Sequence, residues 1–124
     1  MILGIEHIGI AAKDSTALKD WYMDMFPLKV IRDNGKGGYF LEMPDGAEIE
    51  IYPAESDGEK ADNNLVSGLR HIAFKVDDFD KEVARLKEKN VELVGEPIVK
   101  EKFSNMFFRD PEGNLLHIIE RRSE

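Results

Sequence analysis

The chain carries an internal repeat whose first copy begins with Gly4-Ile-Glu-His7-Ile-Gly-Ile-Ala-Ala-Lys-Asp14. The second copy begins with Gly68-Leu-Arg-His71-Ile-Ala-Phe-Lys-Val-Asp-Asp78, so that His71 follows His7 by 64 positions. Near the end of each copy, Pro44-Asp-Gly-Ala-Glu-Ile-Glu50-Ile matches Pro111-Glu-Gly-Asn-Leu-Leu-His117-Ile with an offset of 67 positions. All three histidines therefore occupy repeat-related positions, and the fourth such position holds a carboxylate.

Length and composition restrict the class of protein. A chain of 124 residues fits one domain, or two half-sized modules that share a core, because a half of about 60 residues buries only a marginal core alone. The net charge of −8 argues against a nucleic-acid or anionic-membrane partner. No apolar run is long enough to span a membrane, the first residues lack a basic secretory region, and cysteine is absent. We therefore expect a cytoplasmic protein.

The hydrophobic pattern predicts an α+β protein in which each half has the order β-α-β-β-β. Module one (1–53) should contain strands near 3–12, 29–32, 38–43 and 47–52, with a helix capped by Asp14 or Ser15 and ended by Pro27. Module two (68–124) should contain strands near 69–76, 92–94 or 98–100, 103–109 and 115–120, with a helix near 79–90. The polar segment 54–67 has little to bury and is predicted to be a linker.

Strand alternation predicts that the repeated ligand-type residues share one kind of face. His71 lies opposite the apolar side chains of its strand, and His7 lies beside Gly9 and Ala11 on its own face. Glu50 and His117 likewise oppose aliphatic neighbours in the last strands. Small neighbours leave room for a ligand, so this arrangement indicates the lining of a cavity.

Three imidazoles and one carboxylate form a ligand set for a divalent metal ion. A single strand histidine is usually solvated or hydrogen-bonded, and Glu50 alone would be expected to face water. The coincidence of four such residues at two pairs of repeat-related positions favours a metal site. Phe40, Phe107 and Arg109 are candidates for its walls, although we favour a place in the core for the two aromatic residues.

The segments Glu6-His7-Ile-Gly-Ile, Gly68-Leu-Arg-His71-Ile-Ala-Phe-Lys-Val-Asp77 and Phe108-Arg-Asp-Pro-Glu-Gly-Asn114 resemble those of the vicinal oxygen chelate superfamily. This superfamily includes glyoxalase I, extradiol dioxygenases, and fosfomycin and bleomycin resistance proteins. The resemblance covers essentially the whole chain, 1–124, as a single domain. It implies that the two modules form a cupped mixed sheet around a divalent metal, with helices on the outer face, often in a dimer.

Within the superfamily the chain looks most like bacterial-type glyoxalase I, whose first three metal positions correspond to His7, Glu50 and His71. The resemblance implies a metal-dependent lyase or isomerase, similar to lactoylglutathione lyase, acting on a small vicinal-oxygen substrate. An example is the hemithioacetal of a 2-oxoaldehyde, for which the metal would stabilise an enediolate. The family has a glutamate at the fourth position, where this chain has His117, and that glutamate is thought to take the substrate proton. Glu50, if it loosens from the metal, or His117, if unbound, would then be the catalytic base.

Two other functions stay open at this point. His7, His71 and Glu50 resemble the two-histidine, one-carboxylate set of a non-haem iron dioxygenase, although the extradiol enzymes carry their carboxylate where this chain has His117. The other open function is that of a non-catalytic resistance protein that binds a drug or metabolite, although such relatives have usually lost the metal-ligating residues. The metal would be nickel, cobalt, zinc, iron or manganese, and the expected partners are a small-molecule substrate and a second copy of the chain. The sequence does not decide whether the site forms within one chain or across two.

Overall fold

A computed structural model describes residues 1–122 and contains two β-α-β-β-β units. The first unit is Met1–Gly58, and the second begins at Glu59, inside the segment predicted as the linker. Each unit has one four-stranded mixed sheet and one helix. The α+β class and the repeated module order are therefore confirmed.

The first unit consists of β1 (His7–Ala12), α1 (Ser15–Met25), β2 (Lys29–Asp33), β3 (Tyr39–Glu42) and β4 (Glu48–Pro53). Its strands lie in the order β1-β4-β3-β2. The first and last strands, β1 and β4, are parallel, with Gly9 opposite Glu50, whereas the other neighbours are antiparallel. The parallel contact is made possible by α1, which carries the chain back across the sheet.

The second unit repeats this arrangement with β5 (Ile72–Lys75), α2 (Phe79–Glu88), β6 (Glu92–Val99), β7 (Phe103–Arg109) and β8 (Leu115–Arg121). The strand order is β5-β8-β7-β6, and β5 is parallel to β8. Ala73 lies opposite His117 in this pair, as Gly9 lies opposite Glu50 in the first unit. The repeat seen in the sequence is therefore also a repeat of strand register.

The helix of each unit covers one face of its sheet. The carboxylate of Asp14 caps α1 by accepting a hydrogen bond from the Ala17 amide, and Asp78 caps α2 in the same way. Apolar side chains of the helices and of alternate strand positions are buried together; they are Leu18, Tyr22, Met25, Leu41 and Ile51 in the first unit, and Phe79, Val83, Leu86, Met106, Phe108, Leu116 and Ile118 in the second. The opposite face of each sheet is free of this core.

Several predicted boundaries were wrong. β1 begins at His7 rather than at residue 3, because β4, its partner strand, pairs with β1 only from His7 onward. β5 begins at Ile72, so His71 directly precedes the strand instead of lying within it. The sequence left two alternatives for the next strand, 92–94 or 98–100. The structure has a single strand there, β6, whose register against β7 shifts between Val94 and Ile98 around Gly95. None of the helices within residues 1–122 has the length and apolar character needed to cross a bilayer.

The buried carboxylate of Asp110 organises the turn that leads into β8. It accepts hydrogen bonds from the backbone amides of Glu112 and Asn114 and from the Asn114 side chain.

We expect Asp110→Ala to lower the free energy of unfolding by about 2–4 kcal/mol, because buried donors lose their partner. Urea denaturation measures this change. The matched control is Asp45→Ala, which removes an exposed turn carboxylate that accepts from the Ala47 amide and should cost no more than about 1 kcal/mol. Equal losses in the two variants would contradict this account of the turn.

Candidate metal centre

In the first unit, His7 and Glu50 meet on the sheet face that the helix leaves uncovered. Their side chains approach to 3.5 Å between Nε2 of His7 and Oε1 of Glu50. Gly9 lies opposite Glu50, and a Cβ atom at this position would lie only 3.3 Å from the ring of Tyr52 and 3.9 Å from Oε1 of Glu50. The absence of a side chain at Gly9 therefore lets the Tyr52 ring lie close to the backbone beside the carboxylate.

The imidazole of His7 is oriented by two neighbours. Its Nδ1 donates to the carboxylate of Glu6 at 2.5 Å, and its ring meets the ring of Phe40 edge-on at a centroid distance of 5.2 Å. Metal-binding histidines commonly donate their second nitrogen to a carboxylate or carbonyl, which fixes both tautomer and direction. This arrangement leaves Nε2 as the coordinating nitrogen, on the side of Glu50.

In the second unit, His71 and His117 form the corresponding pair, with ring centroids 4.7 Å apart. Nδ1 of His71 donates to Oδ1 of Asn64 at 2.7 Å, which again fixes one nitrogen. Phe107 meets His71 edge-on at 5.3 Å and stacks on His117 at 4.6 Å, with only 14° between the planes. Phe40 and Phe107 thus hold equivalent imidazoles in the two units.

His117 is held as a neutral imidazole. Burial, and secondarily the nearby His71, lower its pKa from 6.5 to about 4. Its Nδ1 is buried and has no hydrogen-bond partner within residues 1–122. Buried polar atoms are nearly always paired, so an unpaired nitrogen on a neutral imidazole fits a side chain that receives a ligand from elsewhere. The donor set, three imidazoles and one carboxylate, also suits a divalent transition metal.

A cleft of about 410 Å³ opens on the first unit beside Glu50. Phe40 and Tyr52 contribute aromatic walls, and Arg32 and Asn34 contribute polar groups. The Arg32 guanidinium lies over the Phe40 ring at 4.3 Å and donates to the carboxylate of Glu48 at 2.7 Å. The cleft thus joins one of the ligand-type pairs to a surface that a small molecule can enter.

The four ligand-type residues predicted from the sequence are therefore placed as two pairs, one in each unit. Across residues 1–122, no group of three or more histidine, aspartate or glutamate side chains is positioned to hold a metal ion. No prediction singled out Glu6 and Asn64 as partners of the histidines. The adjacency of Glu6 to His7 was visible in the sequence, whereas nothing in the polar segment 54–67 distinguished Asn64.

The expectation that Phe40 and Phe107 belong to the core was wrong. Strand alternation places Leu41 and Phe108 under the helices, so their neighbours Phe40 and Phe107 face the histidines. Arg109, a candidate wall residue, donates instead to the carbonyls of Ala61 and Gly113, and thereby ties the polar segment to the turn before β8.

Comparison with known proteins agrees with this architecture. Residues 4–118 match the Glyoxalase/Bleomycin resistance protein/Dioxygenase superfamily. The chain belongs to this superfamily. Among its relatives, the uncharacterized protein YaeR of Escherichia coli is 32% identical over 94% of this chain and 95% of its own length.

Solved structures of the superfamily share the fold. A glyoxalase/dioxygenase from Nostoc punctiforme has a TM-score of 0.80 at 20% identity, covering 97% of this chain and 92% of its own. A variant of the fosfomycin resistance protein FosX from Listeria monocytogenes has a TM-score of 0.76 at 26% identity, covering 95% and 90%. That FosX variant was solved in complex with Mn(II) and 1S,2S-dihydroxypropylphosphonic acid.

The depressed pKa of His117 predicts how stability depends on pH in the metal-free protein. The unfolded chain takes up a proton on this imidazole near pH 6.5, whereas the folded protein does so only near pH 4. The unfolding free energy should therefore be unaffected by His117 above pH 6.5 and decrease as the pH falls from about 6.5 to about 4. In His117→Gln, denaturation of chelator-treated protein should lose this part of the slope, at most about 1.4 kcal/mol per pH unit.

The control is His7→Gln, which should keep the dependence because it leaves His117 and its buried surroundings intact. Identical pH profiles for the wild type and His117→Gln would show that His117 is not held neutral by the fold.

Proposed function

We propose that His7, Glu50, His71 and His117 bind one divalent metal ion and that the protein is a glyoxalase-I-like lyase or isomerase. The observation that carries the proposal is the repeated pairing: each unit presents two ligand-type side chains on the uncovered face of its sheet. Membership of the superfamily supports it, as does the Mn(II) bound by the FosX variant. The metal would be nickel, cobalt, zinc, iron or manganese.

The proposed metal centre needs both pairs of ligand-type side chains, whether one chain or two copies of it supply them. We propose a homodimer as the working assembly. The hydrogen bonds from His7 to Glu6 and from His71 to Asn64 support the coordinating role, because each commits Nδ1 and leaves Nε2 with its lone pair. His117 contributes the third imidazole, and its lowered pKa of about 4 means that no proton has to be displaced from it before coordination at neutral pH.

The proposed substrate carries two neighbouring oxygens, as in the hemithioacetal of a 2-oxoaldehyde. A bound divalent ion supplies Lewis acidity to those oxygens. Glu50 is the better candidate for the base, because its side chain is 31% exposed and lines the cleft, whereas His117 is only 5% exposed. In this mechanism Glu50 would loosen from the metal, and one of its carboxylate oxygens would take the proton from the substrate carbon and return it to the neighbouring carbon. The proton of the substrate hydroxyl would pass to the neighbouring oxygen, so that a 2-hydroxyacyl thioester forms.

The remaining residues of the centre act by position. Phe40 and Phe107 restrict the rotation of the imidazoles by ring contact, and Gly9 leaves room for the Tyr52 ring beside Glu50. His117, buried against Phe107, is assigned to binding rather than to proton transfer. For Glu50 to act as the base, the substrate carbon must approach it from the cleft on the first unit.

The test is turnover of methylglyoxal with a thiol by protein loaded in turn with each of the five metals. We expect metal-dependent formation of the thioester. Glu50→Gln should lower kcat by about 10²–10⁴-fold, as removal of a general base does. His7→Ala and His71→Ala should lower metal content, measured by elemental analysis of the purified proteins, because each removes a ligand.

Glu42→Gln is the matched control, since it neutralises another strand carboxylate of the same sheet, one that lies beside Lys29. It should leave metal content and turnover unchanged. No turnover with any metal and several thiols would exclude the glyoxalase reaction. Oxygen uptake with a catechol after anaerobic iron loading would assign oxygenase chemistry instead, and tight ligand binding by metal-free protein would indicate a binding protein.

A further inference from the structure

Arg32 is fixed in place on the wall of the first unit's cleft. Its guanidinium lies over the Phe40 ring at 4.3 Å, and Nη2 donates to Glu48 at 2.7 Å. A guanidinium has five N–H donors in a rigid plane, so the Glu48 contact leaves others unused. The side chain is 54% exposed, and it lines the cleft together with Asn34 and Tyr52. The ion pair and the ring contact reduce the entropy that a ligand would lose in ordering this side chain.

Two of the polar side chains that line the cleft with Arg32 can donate hydrogen bonds, those of Asn34 and Tyr52. Oδ1 of Asn34 accepts from the amides of Lys36 and Gly38, which leaves its side-chain NH₂ to donate elsewhere. The Tyr52 hydroxyl makes no hydrogen bond within residues 1–122. Asp33 also lines the cleft and keeps its negative charge, but its Oδ1 is turned to the Gly35 amide, from which it accepts a hydrogen bond. A cleft with such donors on an aromatic wall suits a ligand that carries an oxyanion.

The two units differ at this place, although they agree at the ligand pairs. Arg32 pairs with Phe40 across β2 and β3, whereas Val94 pairs with Phe107, the equivalent of Phe40, across β6 and β7. The fold therefore does not require an arginine at this position in the sheet. The arginine occurs in only one copy of the repeat, and there it lies near Glu50, the only carboxylate of the ligand set. Its presence is better explained by selection of a substrate than by a requirement of the fold.

We propose that Arg32 binds an anionic group of the substrate, a carboxylate or a group of like charge, at the end remote from the two chelating oxygens. This inference rests on the proposed function, because it takes the Glu50 end of the cleft as the place of those oxygens. Asn34 and Tyr52 are assigned as additional donors to the same ligand.

The strand register sets the backbone separation of Arg32 and Glu50, the residues proposed to lie at the two ends of such a substrate. Arg32, Phe40 and Glu50 lie side by side on three neighbouring strands, so Arg32 and Glu50 are separated by two strand spacings, roughly 10 Å. A short 2-hydroxy or 2-oxo diacid has the required chemistry, because it carries two neighbouring oxygens at one end and a carboxylate at the other.

The test compares two ligands that differ only at the remote end: 2-hydroxyglutarate and 2-hydroxypentanoate, which lacks the second carboxylate. Their dissociation constants are measured by calorimetry on wild-type, Arg32→Gln and Arg32→Lys protein, loaded with Mn²⁺ and also after chelation. We expect the wild type to prefer 2-hydroxyglutarate by about tenfold or more, as a charge-assisted hydrogen bond would produce. Arg32→Gln should reduce the preference to near unity, and Arg32→Lys should keep part of it.

Arg121→Gln is the matched control, because it removes an arginine that lies over the Phe103 ring at 5.8 Å in the second unit. It should keep the full preference. A preference unchanged in Arg32→Gln, or absent from the wild type, would overturn the inference, even if Mn²⁺ binds as proposed. Protein that binds no metal but retains an Arg32-dependent preference would contradict the proposed metal centre and leave the role of Arg32 standing.

Discussion

The parallel pairing of the first and last strands in each unit is the constraint on which the rest of the structure depends. It sets Gly9 opposite Glu50 and Ala73 opposite His117, with the helix on the other side of the sheet. Because side chains alternate between faces, burial of the aliphatic positions under the helix forces these ligand-type residues to the uncovered face. A register shift of one residue in either unit would place Glu50 or His117 in the apolar core.

In the second unit, the surroundings of His117 are unfavourable for the stability of the fold. A buried imidazole nitrogen that has no hydrogen-bond partner within residues 1–122, as Nδ1 of His117 has none, lowers stability, and burial also opposes protonation of the ring. Stacking on Phe107 offsets part of this cost and fixes the plane of the ring. Such a residue contributes little to the fold alone, and the proposed metal centre would give its unpaired nitrogen a partner.

The sequence predicted the features that follow from periodicity. The repeat, the module order and the uncovered positions of His7 and Glu50 all come from alternation of apolar and polar residues. The strand ends near residues 3 and 69 were wrong, because the exposed apolar residues there, among them Leu3 and Leu69, continue the pattern without having a partner strand. Alternation alone also could not decide whether Phe40 and Phe107 lie in the core or on the uncovered face, since aromatic residues are common on both faces of a sheet.

The contacts that orient the histidines were less accessible to sequence reasoning. Asn64 reaches His71 from a polar segment that has no periodic pattern, so its role depends on a loop conformation. The stacking of Arg32 on Phe40 depends on the register between β2 and β3, which shifts between Val30 and Arg32. The hydrophobic pattern that fixes a fold carries no information on such a shift.

X-ray absorption spectroscopy of the protein loaded with one equivalent of Zn²⁺ or Co²⁺ tests the central claim most directly, because imidazole ligands give a distinctive outer-shell scattering. The two units, each with its own pair of side chains, are expected to give three imidazoles and one carboxylate on a single ion, with metal–nitrogen distances of about 2.0–2.1 Å for Zn²⁺. An ion with no imidazole, or with the imidazoles of one unit alone, would contradict a shared centre.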